Sequence, residues 1–301
     1  MSSLDYIFAV RSERLKQLRE IVDSWESLRS VLGVAARFTL VVDSNVVLGD
    51  ILWLVAERRD SSAKTQLMET IEAGTLDVYV PPKLLDEVEE KISLIAEEKG
   101  LDQGSMYAEW QTYQKVLKIT EPDDENVELL RKGVDPDDAD FIALASEVMA
   151  AGIFSKDKHI EMMGGNMISI QCVAALRDYS RATAVEMHIK VNGIILAIAS
   201  ISALRGLAHG CKVLFNRISI APGWVKVALL VSLTYVALNP KARETVGNLL
   251  NSAFSHLRGA TPHVLSFIAE ASKVANEHQD KAKRHLEMAM AELEVVGEPV
   301  D

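Results

Sequence analysis

Apolar residues recur near every 3.6 positions at the start of the chain: Ile7, Val10, Leu15, Leu18, Ile21, Val22, Trp25 and Leu28, with charged residues between them. That spacing predicts an amphipathic helix over residues 4–36. The pattern then changes abruptly. FTLVV is apolar without interruption and rich in β-branched residues, as a strand buried on both faces is, and Asp43-Ser44-Asn45 ends it. Helical spacing returns over residues 46–73 as two helices, the second stopped by Gly74 in the manner of a C-cap. LDVYV predicts a second strand, ended by Pro81-Pro82, with helices over Lys83 to Lys99 and Met106 to Leu117. Asp135-Pro136-Asp137-Asp138 forms a turn and N-cap run that opens a helix over Ala139 to Ala151, and Gly152 to Ser155 is a third strand leading to Asp157. Strands alternating with helices predict an α/β fold, a parallel sheet with helices on both faces.

No strand pattern follows Asp178. Two apolar runs, residues 191–204 and 223–238, flank a basic stretch, and a long amphipathic helix is expected from Pro262 to about Val296, with Val264, Leu265, Phe267, Ile268, Val274, Leu286, Met290 and Leu293 on its apolar side. The expected organisation is therefore an N-terminal helix (1–37), an α/β domain (38–177) and an all-α C-terminal region (178–301). A length of 301 residues suits two domains.

Composition adds to this picture in the C-terminal third. Hydrophobic residues make up 49% of the chain and mean hydropathy is +0.10, with the excess concentrated in the two apolar runs. Those runs fall short of the roughly 20 residues that span a bilayer, and the second contains Lys226. They read as buried helices of a bundle or of a homo-oligomer interface, or as a surface for a regulatory protein partner. Charge keeps a second reading open. Residues 201–260 hold seven cations and one anion, a net of +6, so the remainder of a chain at −11 carries −17. A basic apolar hairpin also suits an anionic membrane surface, which would place the protein at the inner face of the cell membrane. Otherwise the expected location is cytoplasmic: Cys172 and Cys211 have no CxxC companion, and the N-terminus lacks the apolar core of a secretory signal. His188, His209, His256 and His263 show no metal-ligand spacing on a helix.

The chemistry lies in the acids. Asp43, Glu87, Asp138 and Asp157 each fall just past a predicted strand or in the first turns of a helix beside one. In an open parallel sheet those strand ends face a common crevice. Carboxylates brought together there repel one another unless a cation neutralises them, and hard oxygen ligands select Mg2+ or Mn2+. Singly, Asp43 and Asp138 would be loop or helix caps, and Glu87 a charge on a solvated face. Their order, spacing and strand-end placement agree with one another, and that agreement carries the reading.

VVDSNVV, VPPKLLDEVEE, DPDDADFIALA and FSKDKHI, in that order, resemble the four-acid pattern of PIN-domain nucleases over residues 39–170. The resemblance implies a PIN-like sheet and matches Asp43 to the first acid, with Asn45 steadying its loop. Glu87 is the second acid, with Asp86 and Glu89 as acidic neighbours. Asp138 is the third, three residues before Phe141 and seven before Ala145, and Asp157 is the fourth. Ser155 replaces the family's usual threonine. The implied activity is metal-dependent endoribonuclease chemistry of the kind found in ribonuclease toxins of bacterial toxin–antitoxin pairs and in defence effectors. One ion on Asp43, Asp138 and Glu87 would activate water, and another near Asp157 would stabilise the leaving oxygen. Asp135 and Asp140 are outer-shell candidates. Arg58, Arg59, Lys156, Lys158 and His159 are candidates for contacting RNA phosphates. The alternative function is a membrane-associated effector or scaffold whose PIN-like domain binds or senses RNA without cutting it.

Overall fold

The computed structural model describes residues 12–24, 35–193 and 269–293. By contacts, the chain divides into residues 1–188 with 276–301, and residues 189–275. The first unit contains the sheet. Of the second, the described residues 189–193 and 269–275 are helical.

In the sheet-bearing unit, helix α1 (Arg14–Ser24) precedes β1 (Phe38–Val42), α2 (Ser44–Ala56), α3 (Gln66–Glu72), β2 (Leu76–Val80), α4 (Pro82–Lys99) and α5 (Gln103–Gln114). The chain continues through β3 (Lys118–Ile119), α6 (Asp124–Leu130), a 3-10 turn (Pro136–Asp138), α7 (Ala139–Glu147), β4 (Gly152–Phe154), α8 (His159–Met162) and β5 (Met167–Ile168). A helix beginning at residue 170 follows, and residues 269–293 are also helical. The five strands pair in parallel in the order β3-β2-β1-β4-β5. As the uninterrupted apolar run FTLVV requires, β1 is central, with Leu40, Val41 and Val42 fully buried.

The three strands expected from the sequence all form. The edge strands β3 and β5 have two residues each, too few to carry a period. Helix α6 was not expected either; its signal is Asp123, whose side chain caps Glu125 N. Residues 57–65 separate α2 from α3, and the Thr65 hydroxyl caps the second. Helix α7 stops at Glu147, short of the expected Ala151, and the turn that follows holds Met149 at a φ of 49°. Gly152 permits a close approach that the sequence pattern does not show: a Cβ there would sit 2.5 Å from the carbonyl oxygen of Asn166, so the β4–β5 contact requires glycine. The expected first helix is described only over α1, and residues 194–268, with most of both apolar runs, lie outside the described residues. Among the described residues no helix is long and apolar enough to cross a membrane.

At the N-terminal edge of the sheet the side chain of Arg19 is buried. Its guanidinium donates to the carbonyl oxygens of Gly74 (2.5 Å) and Ala36 (2.9 Å) and to Thr75 Oγ1 (3.2 Å). Gly74, at a φ of 68°, supplies the left-handed turn that aims its carbonyl there. The helix from residue 170 joins the same end: Tyr179 Oη accepts from Ala36 N (2.7 Å), and Ser180 Oγ donates to Thr75 Oγ1 (2.7 Å). The terminal helix packs Ala289 into the main core and bonds Glu292 to Ser169 Oγ (2.8 Å).

Candidate metal centre

The acids gather at the opposite end of the sheet. Asp43 directly follows β1 and occupies the cap position of α2, yet its side chain makes no capping hydrogen bond. With 4% of its surface exposed, its carboxylate instead collects local donors. Oδ2 accepts from Ser155 Oγ (2.7 Å) and Asn45 Nδ2 (3.3 Å), and Oδ1 from Ser44 Oγ (3.3 Å). Ser155 lies just past β4 and also accepts from the backbone N–H of Asp157 (2.9 Å), so one hydroxyl ties the loops after two neighbouring strands together. Asn45 and Ser155 thus both donate to the Asp43 carboxylate.

Asp138 precedes α7. In a parallel αβ unit the helix runs against the strands, so its N-terminus opens at their C-terminal ends. The Asp138 side chain caps nothing either; the cap of the preceding turn is Asp135, whose Oδ1 accepts from Asp137 N (2.9 Å). Asp138 is buried, with 9% exposure, and among the described residues its Oδ2 has no hydrogen-bond donor. Burial, then the carboxylates of Asp135, Asp157 and Asp43, push its carboxyl up to about 6, against the opposing pull of His159. Three of the four nominated acids therefore act on one another, and a buried oxygen lacks a partner.

Glu87 stands apart from them. It is on the row Lys83–Glu87–Lys91, beside the row Leu84–Val88–Ile92 that α4 buries. Lys83 Nζ is 3.9 Å and Lys91 Nζ 4.0 Å from its carboxylate. The same lysines reach the centre: Lys91 donates to Ser44 Oγ (3.4 Å), and Lys83 to Asp137 Oδ1 (2.8 Å). Glu87 is thus one lysine removed from the loop of Asp43. Its acidic neighbours are directed elsewhere, Asp86 outward and Glu89 toward Trp110 Nε1 (3.4 Å). Sequence reasoning did not single out Lys83 and Lys91, although their spacing of four on either side of Glu87 was visible.

The remaining candidates separate clearly. Asp157 Oδ1 accepts from His159 N (2.9 Å), and His159 Nδ1 lies 3.3 Å from Asp135 Oδ2 and 3.4 Å from Asp157 Oδ1, which places His159 among the acids. Asp140 is turned toward Arg131, 3.8 Å away. Arg58 is ion-paired with Glu109 (2.7 Å), whereas Arg59, Lys156 and Lys158 are exposed. Among the described residues, Asp135, Asp138 and His159 form the one group of three whose ligand atoms all lie within 4.8 Å of one another.

Residues 39–159 match the family model of the PIN domain. This segment has a PIN-like fold. The match spans all four nominated acids and stops at His159, before β5 and the helix that follows. A comparison with curated proteins finds no match. The PIN domain is a nuclease-type fold that generally works with divalent metal ions. The residues here fit such an ion on their own terms, because the buried Asp138 Oδ2 lacks a donor and the surrounding groups are hard oxygens and one imidazole.

Proposed function

We propose that this chain is a metal-dependent endoribonuclease that hydrolyses RNA phosphodiester bonds with Mg2+ or Mn2+ held at the acid end of its PIN domain. The observation that carries this reading is the unpartnered, buried carboxylate oxygen of Asp138 beside Asp43, Asp135 and Asp157. Burying such an atom among like charges costs free energy that a bound cation offsets. Asp43, Asp138 and Asp157 would hold the ion, with Glu87 at the rim. When bound, the ion lowers the pKa of an attacking water and neutralises phosphate charge.

The chain's own residues do the rest. Ser155 and Asn45 fix the Asp43 carboxylate so that it meets a cation without rearranging. Lys91 and Lys83 bring positive charge to the rim of an otherwise acidic centre, where an approaching phosphate oxygen needs it. Exposed Lys156 and Lys158 extend that charge past the fourth acid.

The test is cleavage of single-stranded RNA by the full chain with Mn2+, compared with Asp43→Asn, which removes ligand charge at nearly constant volume. Abolished cleavage with unchanged circular dichroism is the expected result. Undiminished cleavage would show the assignment to be wrong. The same activity suits a toxin or defence effector, whose signature is growth arrest on induction of the wild type and none on induction of Asp43→Asn.

A further inference from the structure

The side chains that converge most tightly in the PIN domain are not all acids. Ligand atoms of Asp135, Asp138 and His159 lie within 4.8 Å of one another, and His159 Nδ1 is 3.3 Å from Asp135 Oδ2. An ion with bonds of about 2.1 Å places adjacent ligands about 3 Å apart and opposite ligands a little over 4 Å apart. The 3.3 Å between His159 Nδ1 and Asp135 Oδ2 is that of one edge of a coordination shell, and a ligand atom of Asp138 lies within 4.8 Å of both.

Two of the three, Asp135 and His159, are held in place by something other than the atom they offer. Asp135 uses Oδ1 to accept from Asp137 N, which leaves Oδ2 facing His159. The His159 backbone N–H donates to Asp157 Oδ1, which sets the first residue of α8 and aims the ring at the acids. Asp138, nine-tenths buried, carries an oxygen, Oδ2, that no donor among the described residues satisfies. That orphan is an observation independent of the clustering, and it too points to a ligand.

We propose that Asp135, Asp138 and His159 form a mixed nitrogen–oxygen site for a divalent transition-metal ion, with His159 Nδ1 as a ligand, and that this site makes the protein prefer Mn2+ to Mg2+. The proposal rests on the reading that the acid end binds metal, and adds to it a nitrogen ligand and a choice of ion. Mg2+ takes oxygen ligands and gives up its water reluctantly, whereas imidazole is a donor that transition ions accept. His159 then has a role distinct from phosphate binding.

The simpler account is that a protonated His159 pairs with Asp135 and Asp157 and binds nothing further. Pulsed electron paramagnetic resonance of Mn2+ added to the full chain separates the two, together with Mn2+ binding in competition with Mg2+. The wild type should show nitrogen coupling to the bound Mn2+. In His159→Gln, Mn2+ should bind roughly tenfold more weakly and the coupling should disappear, with Mg2+ affinity changed less than about twofold. Asp135→Asn should weaken Mn2+ with the nitrogen coupling kept. Because the His159 contact that shapes the chain is made by its backbone, His159→Gln should keep the wild-type Tm without metal. Mn2+ bound without nitrogen coupling, or an unaltered Mn2+ to Mg2+ ratio in His159→Gln, overturns the proposal and leaves the metal reading intact. Failure of the wild type to bind either ion overturns both.

Discussion

The two ends of the sheet each bury charge, and they treat it in opposite ways. At the N-terminal end, Arg19 is surrounded by acceptors: two carbonyl oxygens and a hydroxyl take protons from Nη1 and Nη2, and Nε alone has no acceptor among the described residues. At the C-terminal end, Asp138 is almost as buried, is surrounded by other acids, and has a carboxylate oxygen without a donor. Burial opposes both charges, pulling Arg19 down to about 10 and pushing Asp138 up to about 6. What differs is the partners. A buried charge matched by its neighbours holds elements together, and a buried charge opposed by them waits for a ligand.

Substitution at each end should therefore fail in a different way. The largest effect is expected at the acids: Asp43→Asn or Asp138→Asn should lower Mn2+-dependent cleavage more than about 100-fold, beyond the range typical of outer-shell partners. Asp138→Asn should not lower the Tm of the metal-free protein, since it removes like-charge repulsion. Saturating Mn2+ should raise the wild-type Tm, because a ligand at 100 times its Kd contributes about 2.7 kcal/mol, and Asp138→Asn should lose that increment. Thermal melts with and without Mn2+ read both effects, and a marked fall in the metal-free Tm of Asp138→Asn would make that acid structural.

Arg19→Met inverts that result. The aliphatic stem is retained, but the carbonyls of Gly74 and Ala36 lose their donor in a buried place, which should cost about 2–4 kcal/mol. Denaturant melts should show the loss, while cleavage per folded molecule and the Tm increment from Mn2+ stay at the wild-type level. A change in Mn2+ affinity would show that the two ends are coupled.

How legible these ends were from sequence follows from the same contrast. The strand β1, its abrupt polar end, and the helices with sustained periodicity could be read because burial of one face imposes a repeat. The convergence of Asp43, Asp138 and Asp157 could be read because strand ends in a parallel sheet share one side, whereas Glu87 stands apart on α4. The Arg19 contact could not. Its partners are backbone carbonyls 17 and 55 residues away, and a carbonyl carries no sequence signal. The place of His159 beside the fourth acid is visible in the sequence, but its proximity to Asp135 is not, since only the fold brings Asp135 to its ring. Edge strands of two residues leave no period to detect.

Ser155 sharpens the comparison from inside the acid end, because it is a satisfied group in the service of an unsatisfied one. Ser155→Ala removes the hydroxyl that donates to Asp43 Oδ2 and accepts from Asp157 N. Mn2+ affinity should fall about 10- to 100-fold, as for partners that orient ligands. Ser155→Thr keeps the hydroxyl and should restore most of it. Calorimetric titration of both variants gives the values, and equal losses in the two would point to crowding rather than to the hydrogen bond.

The smallest effect belongs to the matched class and is set by pH. Glu69 on α3 accepts from Arg181 Nε and Nη2 (2.7 Å each) and from Ser12 Oγ (2.6 Å), linking the helix from residue 170 to α3 and to the turn before α1. Burial works to raise its pKa, but the hydrogen bonds from Arg181 and Ser12 outweigh it, so the folded value lies below 4.5. A lowered carboxylate pKa contributes stability that is full above the unfolded value and is lost as pH falls through the folded one. Arg181 is half-exposed, so the contribution at neutral pH is screened to about 1 kcal/mol. Glu69→Gln should lower the Tm by about 2–4 °C at pH 7. Its melting curve should converge on that of the wild type as pH drops below 4.5, the region in which the wild type loses this contact by protonation. A difference in Tm that stays constant across that interval would mean that shape, not charge, holds the helix from residue 170 against α3.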